Sequence, residues 1–257
     1  MILQRISDLT YIPQRIISLV PSQTELLHDL GLETETIGIT KFCVHPAKWF
    51  KTKERIGGTK TIKINKINQL QPDLIIANKE ENVKEQIDQL AINYPVWITD
   101  INNLADGLQM ISDIGTLTGK TETVDLLITQ IKNAFAGLPI IENPVNTAYL
   151  IWRKPYMTIG SDTFIHDIME RCGFKNIFSD KKRYPETNVD ELRTKDCRLL
   201  LLSSEPYPFT QKHIAELQLQ LPNTKIMLAD GEMFSWYGSR LLKAAEYFKQ
   251  LILQIGT

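Results

Sequence analysis

The sequence predicts an α/β protein built on parallel sheets, and two observations carry that prediction. Short apolar stretches alternate with helix-like stretches along both halves of the chain. The apolar stretches lead directly into helix starts, as where a run ending at Val20 passes through Pro21 into a helix that stops at Gly31. Strands interleaved with helices of this length are typical of a parallel sheet, whose ligands lie beyond the carboxyl ends of its strands.

The first of these helices is predicted to begin at Ser22. Ser22 and Glu25 have the spacing of a capping box, in which the hydroxyl and the carboxylate each accept from a backbone amide of the first turn. A glycine at position 31 is a natural C-terminal stop. The segment therefore places Pro21 and Ser22 at the mouth of a strand–helix junction, where a ligand would sit.

The alternation continues through both halves of the chain. In the first half we predict strands at residues 15–20, 36–40, 73–77 and 96–99, and helices at 22–30, 63–70, 80–92 and 104–117. In the second half we predict strands at residues 147–152, 198–203 and 225–228, and helices at 161–172, 189–195, 210–221 and 239–255.

One long helix is predicted between the halves, at residues 120–138. Val124, Leu127, Ile131 and Phe135 recur at three- and four-residue spacing, the pattern of an amphipathic helix. At 1.5 Å per residue such a helix spans about 28 Å. The pattern fits two α/β lobes joined by this helix, and equally a single continuous sheet in which the helix is an ordinary crossover. The two-lobe interpretation places the lobes at residues 1–119 and 139–257.

Composition excludes several classes of protein. The 257 residues are 43% hydrophobic, enough for a substantial core, and 29 basic residues balance 30 acidic ones. Because nucleic-acid-binding proteins usually carry a basic excess, we expect no nucleic acid as partner. No apolar run reaches the roughly 18 residues that a membrane span needs. Cys43, Cys172 and Cys197 are an odd set at long spacings and predict neither a disulfide framework nor a zinc site.

The segment after the second predicted strand carries two side chains suited to metals. Phe42 is followed by Cys43 and then by His45. If the segment is extended, Cys43 and His45 point to the same side, and thiolate and imidazole suit soft or borderline metals. Two ligands are too few for a bare ion but could complete the coordination of a metal held by a macrocycle. The structural alternative is a buried thiol and a histidine that caps a turn.

Aromatic residues are concentrated in the predicted loops of the second half. Several rings in loops that contain glycine and proline are harder to explain as core than rings in a periodic helix. Arg240 begins the last helix, where a cation is unfavourable unless it faces an anion. We therefore predict ligand contacts from Trp152, Tyr184, Phe234, Trp236, Tyr237 and Arg240.

The turn GGTK at residues 57–60 lacks the pattern of a phosphate-binding loop. We interpret it as a glycine-permitted turn that lines a ligand cleft through Thr59 and Lys60. The motifs GxSxG, HExxH, GxGxxG and GxxxxGK[ST] are all absent from the sequence. We therefore predict no catalytic residues, no intrinsic cofactor and no enzymatic activity.

Several stretches resemble a known family. They are RIISLVPSQTELLHDLGLETETIGIT, INQLQPDLIIAN, the helix at 120–138 and MTIGSDTFIHDIMERCGFKNIF. Together they resemble the ABC-transporter solute-binding proteins that have a single helical backbone, a cluster that includes receptors for cobalamin, haem and ferric siderophores. Within it, the cobalamin receptors are the most similar. The resemblance implies two lobes around a rigid helix, a ligand cleft between them and no catalysis.

The resemblance also implies roles for individual residues. The cobalamin receptors have an aromatic residue after the second strand, where this chain has Phe42, and a tryptophan before a proline, where it has Tyr184. Family members dock on the permease through one acidic residue on each lobe. Asp190 or Glu191 matches that position on the second lobe, whereas the first-lobe position falls at about Asn65, which is uncharged.

The leading interpretation is therefore a monomeric solute-binding protein of an ABC importer, whose ligand is a metal chelate and most specifically cobalamin or a related corrinoid. The alternatives of the same class are haem and ferric siderophores. An anionic siderophore complex would call for several arginines, and the candidates are Arg153, Arg183 and Arg240. A different class is an intracellular protein that handles metals or corrinoids through Cys43 and His45. An enzyme is the third class.

The family implies the periplasm or the cell surface. The first residues, MILQRISDLTYIPQR, contain no apolar core of signal-peptide length, so a cytoplasmic location is the alternative.

Overall fold

The computed structural model describes residues 1–255. Its chain forms two compact units. Unit 1 consists of Met1–Ile101, Ala105–Lys132 and Trp236–Leu242, and unit 2 consists of Asn102–Leu104, Asn133–Ser235 and the chain from Lys243 onward. The predicted lobe boundaries at residues 119 and 139 stay predictions, and the last two residues of the predicted second lobe, 256 and 257, lie outside the described residues.

Unit 1 is built on a five-stranded parallel sheet in the order β3-β2-β1-β4-β5. Its strands are β1 (Ile16–Ser18), β2 (Thr36–Ile39), β3 (Glu54–Arg55), β4 (Leu74–Asn78) and β5 (Val96–Thr99). Its helices are α1 (Pro21–Asp29), α2 (Ala47–Thr52), α3 (Ile64–Leu70) and α4 (Lys84–Ala91).

The apolar runs of the sequence become the central strands of this sheet because helices cover both of its faces. Every residue of β1 and β4 is buried, and the two strands pair with Ile16 opposite Leu74. The strand order reverses between β1 and β4, since the chain first builds outward to β3 and then restarts on the other side. Ligands of open α/β sheets sit beyond the carboxyl ends of the strands at such a reversal.

Unit 2 has a four-stranded parallel sheet in the order β11-β10-β6-β8 and a two-stranded antiparallel sheet of β7 and β9. Its strands are β6 (Val145–Leu150), β7 (Tyr156–Met157), β8 (Phe174–Asn176), β9 (Glu186–Thr187), β10 (Leu199–Ser203) and β11 (Lys225–Ala229). Its helices are α7 (Phe164–Arg171), α8 (Val189–Thr194), α9 (Gln211–Gln218) and α10 (Gly231–Ser235). The order reverses between β6 and β10.

Three longer helices complete the chain: α5 (Leu104–Leu117), α6 (Thr121–Ala136) and α11 (Arg240–Ile255). Helix α6 is the predicted amphipathic helix, and Val124 and Ile131 of its apolar stripe are fully buried. Helices α5 and α6 pack closely at Gly115, where an added Cβ would lie 2.2 Å from a methyl of Val124. No helix within residues 1–255 is long and apolar enough to cross a bilayer.

The structure corrects the predicted cap of α1. The helix begins at Pro21, with Val20 at the N-cap and no side-chain cap, so Ser22 and Glu25 do not form a capping box. Proline is favoured at the first helical position because its missing N–H would have no helical partner there. The fourth helix also starts later than predicted, at Lys84, which leaves Glu80 and Glu81 in a turn after β4.

Candidate functional site

The carboxyl ends of the strands in unit 1 bring together residues that are far apart in sequence. Glu25 lies on α1, just after β1, and Arg240 begins α11. The Arg240 guanidinium donates to both Glu25 carboxylate oxygens, at 2.7 and 3.1 Å. Their side chains are only 7% and 6% exposed. This is a buried bidentate ion pair, in which removing either charge takes from the other the counter-charge that it contacts directly.

Trp236 connects this ion pair to the segment after β2. The centroid of its ring lies 4.7 Å from the Arg240 guanidinium carbon, a cation–π contact. The imidazole of His45 packs edge-on against the same ring at 5.5 Å. The turn between Trp236 and Arg240 depends on Gly238, which has a φ of +108°, a conformation that favours glycine. Trp236, His45 and Arg240 therefore form one aromatic and charged cluster in unit 1.

Phe42 presents the most open ring near this cluster. It lies in the turn after β2, is 49% exposed, and carries the Lys41 ammonium 5.0 Å from its ring centroid. An exposed aromatic ring in a turn beyond a strand end suits a flat ligand that binds by stacking. The position agrees with the sequence analysis, and its contact with a ligand stays a prediction.

Cys43 is a correction to the sequence analysis. Its thiol is fully buried and contacts the hydroxyls of Thr24 and Thr40 at 3.1 and 3.2 Å. Burial raises the pKa of the thiol to about 11, so it is protonated at neutral pH and unsuited to bind a metal. The segment is a turn closed by the Cys43 N–H to the Thr40 carbonyl, so the alternation expected of an extended chain does not apply.

His45 is half-buried and remains the one candidate ligand of the predicted pair. Within residues 1–255 no group of three or more His, Cys, Asp or Glu residues is placed to hold a metal ion.

The turn after β3 is tied to the turn after β4. Asn82 donates to the Thr59 carbonyl at 3.2 Å, and the Lys60 ammonium donates to the Glu80 carbonyl at 2.5 Å. Tyr237 reaches the same turn, with its hydroxyl 3.4 Å from the Glu81 carboxylate. Burial, followed by the nearby charge of Glu81, holds the pKa of Tyr237 well above its usual value. The phenol is therefore a neutral hydrogen-bonding group.

In unit 2 the predicted aromatic contacts divide into exposed and buried rings. Trp152 follows β6, is 41% exposed and packs edge-on against Tyr207, which follows β10, at 5.8 Å. These two rings lie where the strand order reverses. Tyr184 is half-buried and lies 5.5 Å from the guanidinium of Arg183.

Phe234 does not offer a face to a ligand, which corrects the sequence analysis. It is fully buried and packs against Tyr149 at 4.9 Å and Phe248 at 4.8 Å between ring centroids. The physical reason is the short helix α10, which the sequence did not predict. That helix turns Phe234 into the core of unit 2 instead of leaving it in an open loop.

The two predicted docking acids differ in their surroundings. Glu191 binds the Lys181 ammonium at 2.7 Å and the Thr187 hydroxyl at 2.9 Å. Its pKa is lowered, because these contacts outweigh the partial burial that alone would raise it. Asp190 has a side chain that is 90% exposed, and it pairs with Arg193, three residues along the same helix. Asp190 is the acid that a partner protein can reach.

Sequence reasoning missed Glu25 as a site residue. Its spacing from Ser22 indicated a local capping role, and nothing in the neighbouring sequence points to a partner 215 residues away. The unfavourable position of a cation at the start of α11 was the available signal, because it implied an anionic partner for Arg240.

The family described as periplasmic binding protein matches residues 16–221. This chain belongs to the periplasmic binding protein family. The match covers most of both units, and it confirms the resemblance found in the sequence. The members of this family are binding proteins, so the chain is a solute-binding protein and not an enzyme.

Individual relatives of this periplasmic binding protein agree with the family assignment. The vitamin B12-binding protein of Pectobacterium carotovorum subsp. carotovorum is 26% identical over 243 residues, which cover 91% of this chain and 87% of that protein. The structure of the periplasmic vitamin B12-binding protein BtuF of Vibrio cholerae superimposes with a TM-score of 0.76 at 20% identity, covering 95% of this chain and 98% of that one. The periplasmic haem-binding protein RhuT of Roseiflexus sp. RS-1 gives 0.81 at 19% identity, covering 95% and 99%. These structures confirm the predicted α/β fold.

Proposed function

We propose that this protein binds a cobalamin-like corrinoid, at the carboxyl-end face of the unit 1 sheet, and delivers it to an ABC importer. The corrinoid is favoured by the relative whose name gives vitamin B12 as its ligand and by the aromatic surroundings of the site. Phe42 and the half-buried His45 supply the rings that a broad, partly apolar ligand needs, and Trp236, which is 7% exposed, packs against His45 and supports it.

The observation that carries the choice of ligand is the state of the three candidate arginines. Arg240 is neutralised by Glu25 in a buried ion pair, and Arg153 pairs with Glu216. Arg183 lies beside Asp162, whose carboxylate accepts from the Arg183 backbone and whose pKa is lowered by that contact. A strongly anionic ferric siderophore would need several uncompensated arginines. Because Arg240 and Arg153 are paired with carboxylates, their positions favour a chelate whose negative charge is confined to one group, as in a corrinoid.

Delivery to a permease is proposed through Asp190 of unit 2. Its carboxylate is exposed on α8, and opposite charges on a permease would steer the encounter. The corresponding position of unit 1, at Asn65, is uncharged and lies between Lys63 and Lys66. We propose a location in the periplasm or at the cell surface, because delivery to an importer takes place outside the membrane it serves.

The experiment is a comparison of ligands with purified protein. Cyanocobalamin, haemin and ferric siderophores are titrated separately, and tryptophan fluorescence and the visible spectrum are recorded. We expect saturable quenching with cyanocobalamin at lower concentrations than with the other ligands. A protein that binds haemin or a ferric siderophore and leaves cyanocobalamin unbound would overturn the proposed ligand.

His45 offers a second readout in the same experiment. If its imidazole completes the coordination of the chelated metal, His45→Ala shifts the visible spectrum of the bound ligand. A spectrum identical to that of the unmodified complex would assign His45 to packing against Trp236.

A further inference from the structure

A cationic pocket lies beside the proposed ligand face in unit 1, and no part of the function described so far uses it. The cavity has a volume of about 600 Å³ and lies at the carboxyl ends of β2 and β3. Its lining contains three basic side chains and no acidic one: Lys41, Arg55 and Lys63, with Gly57, Thr61 and Gln86 among its other residues.

Backbone hydrogen bonds hold the three basic residues around one short segment. Lys41 donates its N–H to the Gly57 carbonyl at 2.8 Å, and Lys63 donates to the Ile56 carbonyl at 2.8 Å. Arg55 directly precedes Ile56. The three positions are thus fixed by the sheet edge, and their side chains line the same pocket.

The charges of this pocket are only lightly compensated. The Arg55 guanidinium donates to the Phe50 carbonyl and lies 5.4 Å from the Phe50 ring centroid, which fixes its direction and leaves its charge unneutralised. Glu54, which precedes Arg55 in the sequence, forms an ion pair with Lys66. Within residues 1–255, the ammonium groups of Lys41 and Lys63 form no ion pair. Converging cations of this kind attract an oxyanion.

The pocket is joined to the ligand face through Gly58. A Cβ at Gly58 would lie 3.2 Å from both the Lys41 side chain and the Phe42 ring, so these two side chains cover the glycine turn together. The Phe42 ring is the open stacking face described above. An anionic group at the edge of a ligand stacked on Phe42 would therefore meet Lys41 first and the rest of the pocket behind it.

We propose that Lys41, Arg55 and Lys63 form an oxyanion subsite that binds the acidic group at the edge of the chelate, which for cobalamin is the phosphodiester of its nucleotide loop. This inference rests on the proposed function and extends it, because it selects corrinoids that carry the nucleotide loop over those that lack it. Haem also has oxyanions at its edge, the two propionate carboxylates. The test below distinguishes a phosphodiester of cobalamin from a carboxylate of haem.

The test compares two corrinoids that differ in the nucleotide loop. Affinities for cobalamin and cobinamide, which lacks the phosphodiester, are measured by calorimetry for the unmodified protein and for K41Q/R55Q/K63Q. A matched control, K51Q/K84Q/K132Q, removes three exposed lysines of unit 1 that do not line the pocket. Circular dichroism and thermal unfolding establish that each variant is folded.

We expect the pocket variant to bind cobalamin about tenfold or more weakly at low salt, since charge-assisted hydrogen bonds are lost. Cobinamide binding should change by less than about twofold, because the group that contacts the pocket is missing from it. The control variant should bind both ligands as the unmodified protein does. An equal change for the two corrinoids, or none for either, would overturn the subsite.

The single variant Lys63→Gln is tested in case the triple variant does not fold. Within residues 1–255 no ion pair involves the Lys63 ammonium, so this change should leave the fold intact. It should weaken cobalamin binding selectively as well. If the unmodified protein binds haemin and no corrinoid, the proposed ligand falls while the subsite can still be judged. Weaker haemin binding by the pocket variant than by the control would support it, and equal binding would refute it.

Discussion

The two units have parallel sheets of similar design, but they differ in what lies at the carboxyl ends of their strands. In unit 1 the reversal of strand order is filled by buried polar groups, above all the Glu25–Arg240 ion pair. In unit 2 the same level carries aromatic packing between Tyr149 and Phe234, and the Tyr149 hydroxyl donates a hydrogen bond to Ser203. The contrast is therefore between a buried ion pair in unit 1 and aromatic packing with neutral hydrogen bonds in unit 2.

The difference indicates where specificity resides. Buried charges that are paired and hydrogen-bonded define direction and exclude wrong partners, while aromatic packing supplies stability with little directionality. Each unit nevertheless carries one exposed ring beyond a strand end, Phe42 in unit 1 and Trp152 in unit 2. Four predictions probe this contrast.

The largest expected effect is in the ion pair of unit 1. Glu25→Gln leaves the Arg240 guanidinium buried without a counter-charge, and we expect the free energy of unfolding to fall by about 3–5 kcal/mol. Urea denaturation measures this free energy of unfolding. As a matched control, Asp88→Asn breaks the exposed pair with Lys84 and should leave stability unchanged. A Glu25→Gln protein as stable as the control would show that the pair is not a constraint on unit 1.

The exposed rings test whether both units contribute to binding. Phe42→Ala and Trp152→Ala should each weaken cobalamin binding by about 1–3 kcal/mol if each ring is a buried anchor in the complex. Calorimetry gives the affinities. Tyr11→Ala serves as control, because it removes a comparably exposed ring of unit 1 whose hydroxyl donates to the Asp73 carbonyl at the amino end of β4. Loss of affinity on one unit alone would assign the stacking role to that unit.

A smaller effect is expected in the core of unit 2. Tyr149→Phe removes the hydroxyl that donates to Ser203 at 3.0 Å and keeps the ring packing. We expect a loss of about 0.5–1.5 kcal/mol, the usual net worth of one hydrogen bond, measured by the same denaturation. Cobalamin affinity should not change. A loss as large as that of Glu25→Gln would remove the contrast drawn between the two units.

The smallest effect at neutral pH concerns the buried thiols. Burial raises the pKa of Cys43 to about 11 and that of Cys172 and Cys197 to about 12. The unfolded chain loses these protons near pH 8.5, so the stabilising contribution is complete below that pH and is lost as pH rises towards the folded values. Titration of the thiols should therefore leave the free energy of unfolding unchanged around pH 7 and lower it above about pH 9.

Two measurements check this prediction. Iodoacetamide at pH 7 should leave all three native cysteines unlabelled and modify all three in denaturant. The alkaline slope of stability should be shallower in Cys43→Ala than in the unmodified protein. Rapid labelling of native Cys43 would mean that its thiol is accessible, and would restore it as a candidate ligand.

The sequence by itself determined the fold class, the family and the larger elements. Strands β4 and β10 could be predicted from apolar runs, because strands buried on both faces are nearly all apolar. The amphipathic helix α6 and the helix α5, predicted at residues 104–117 and observed at Leu104–Leu117, follow from local periodicity alone. The stretches that carried the family resemblance were likewise contiguous in the chain.

Only the tertiary structure decided the site. Four short strands could not be predicted from a local pattern, because they depend on a neighbouring strand for their hydrogen bonds. They are β3, β7, β8 and β9. Glu25 and Arg240 lie 215 positions apart. The turn at Cys43 and the helix at Phe234 bury side chains that the sequence left open to a ligand. Local propensity determines where the longer elements form, whereas the partner of a buried charge, thiol or ring is set by packing between distant segments.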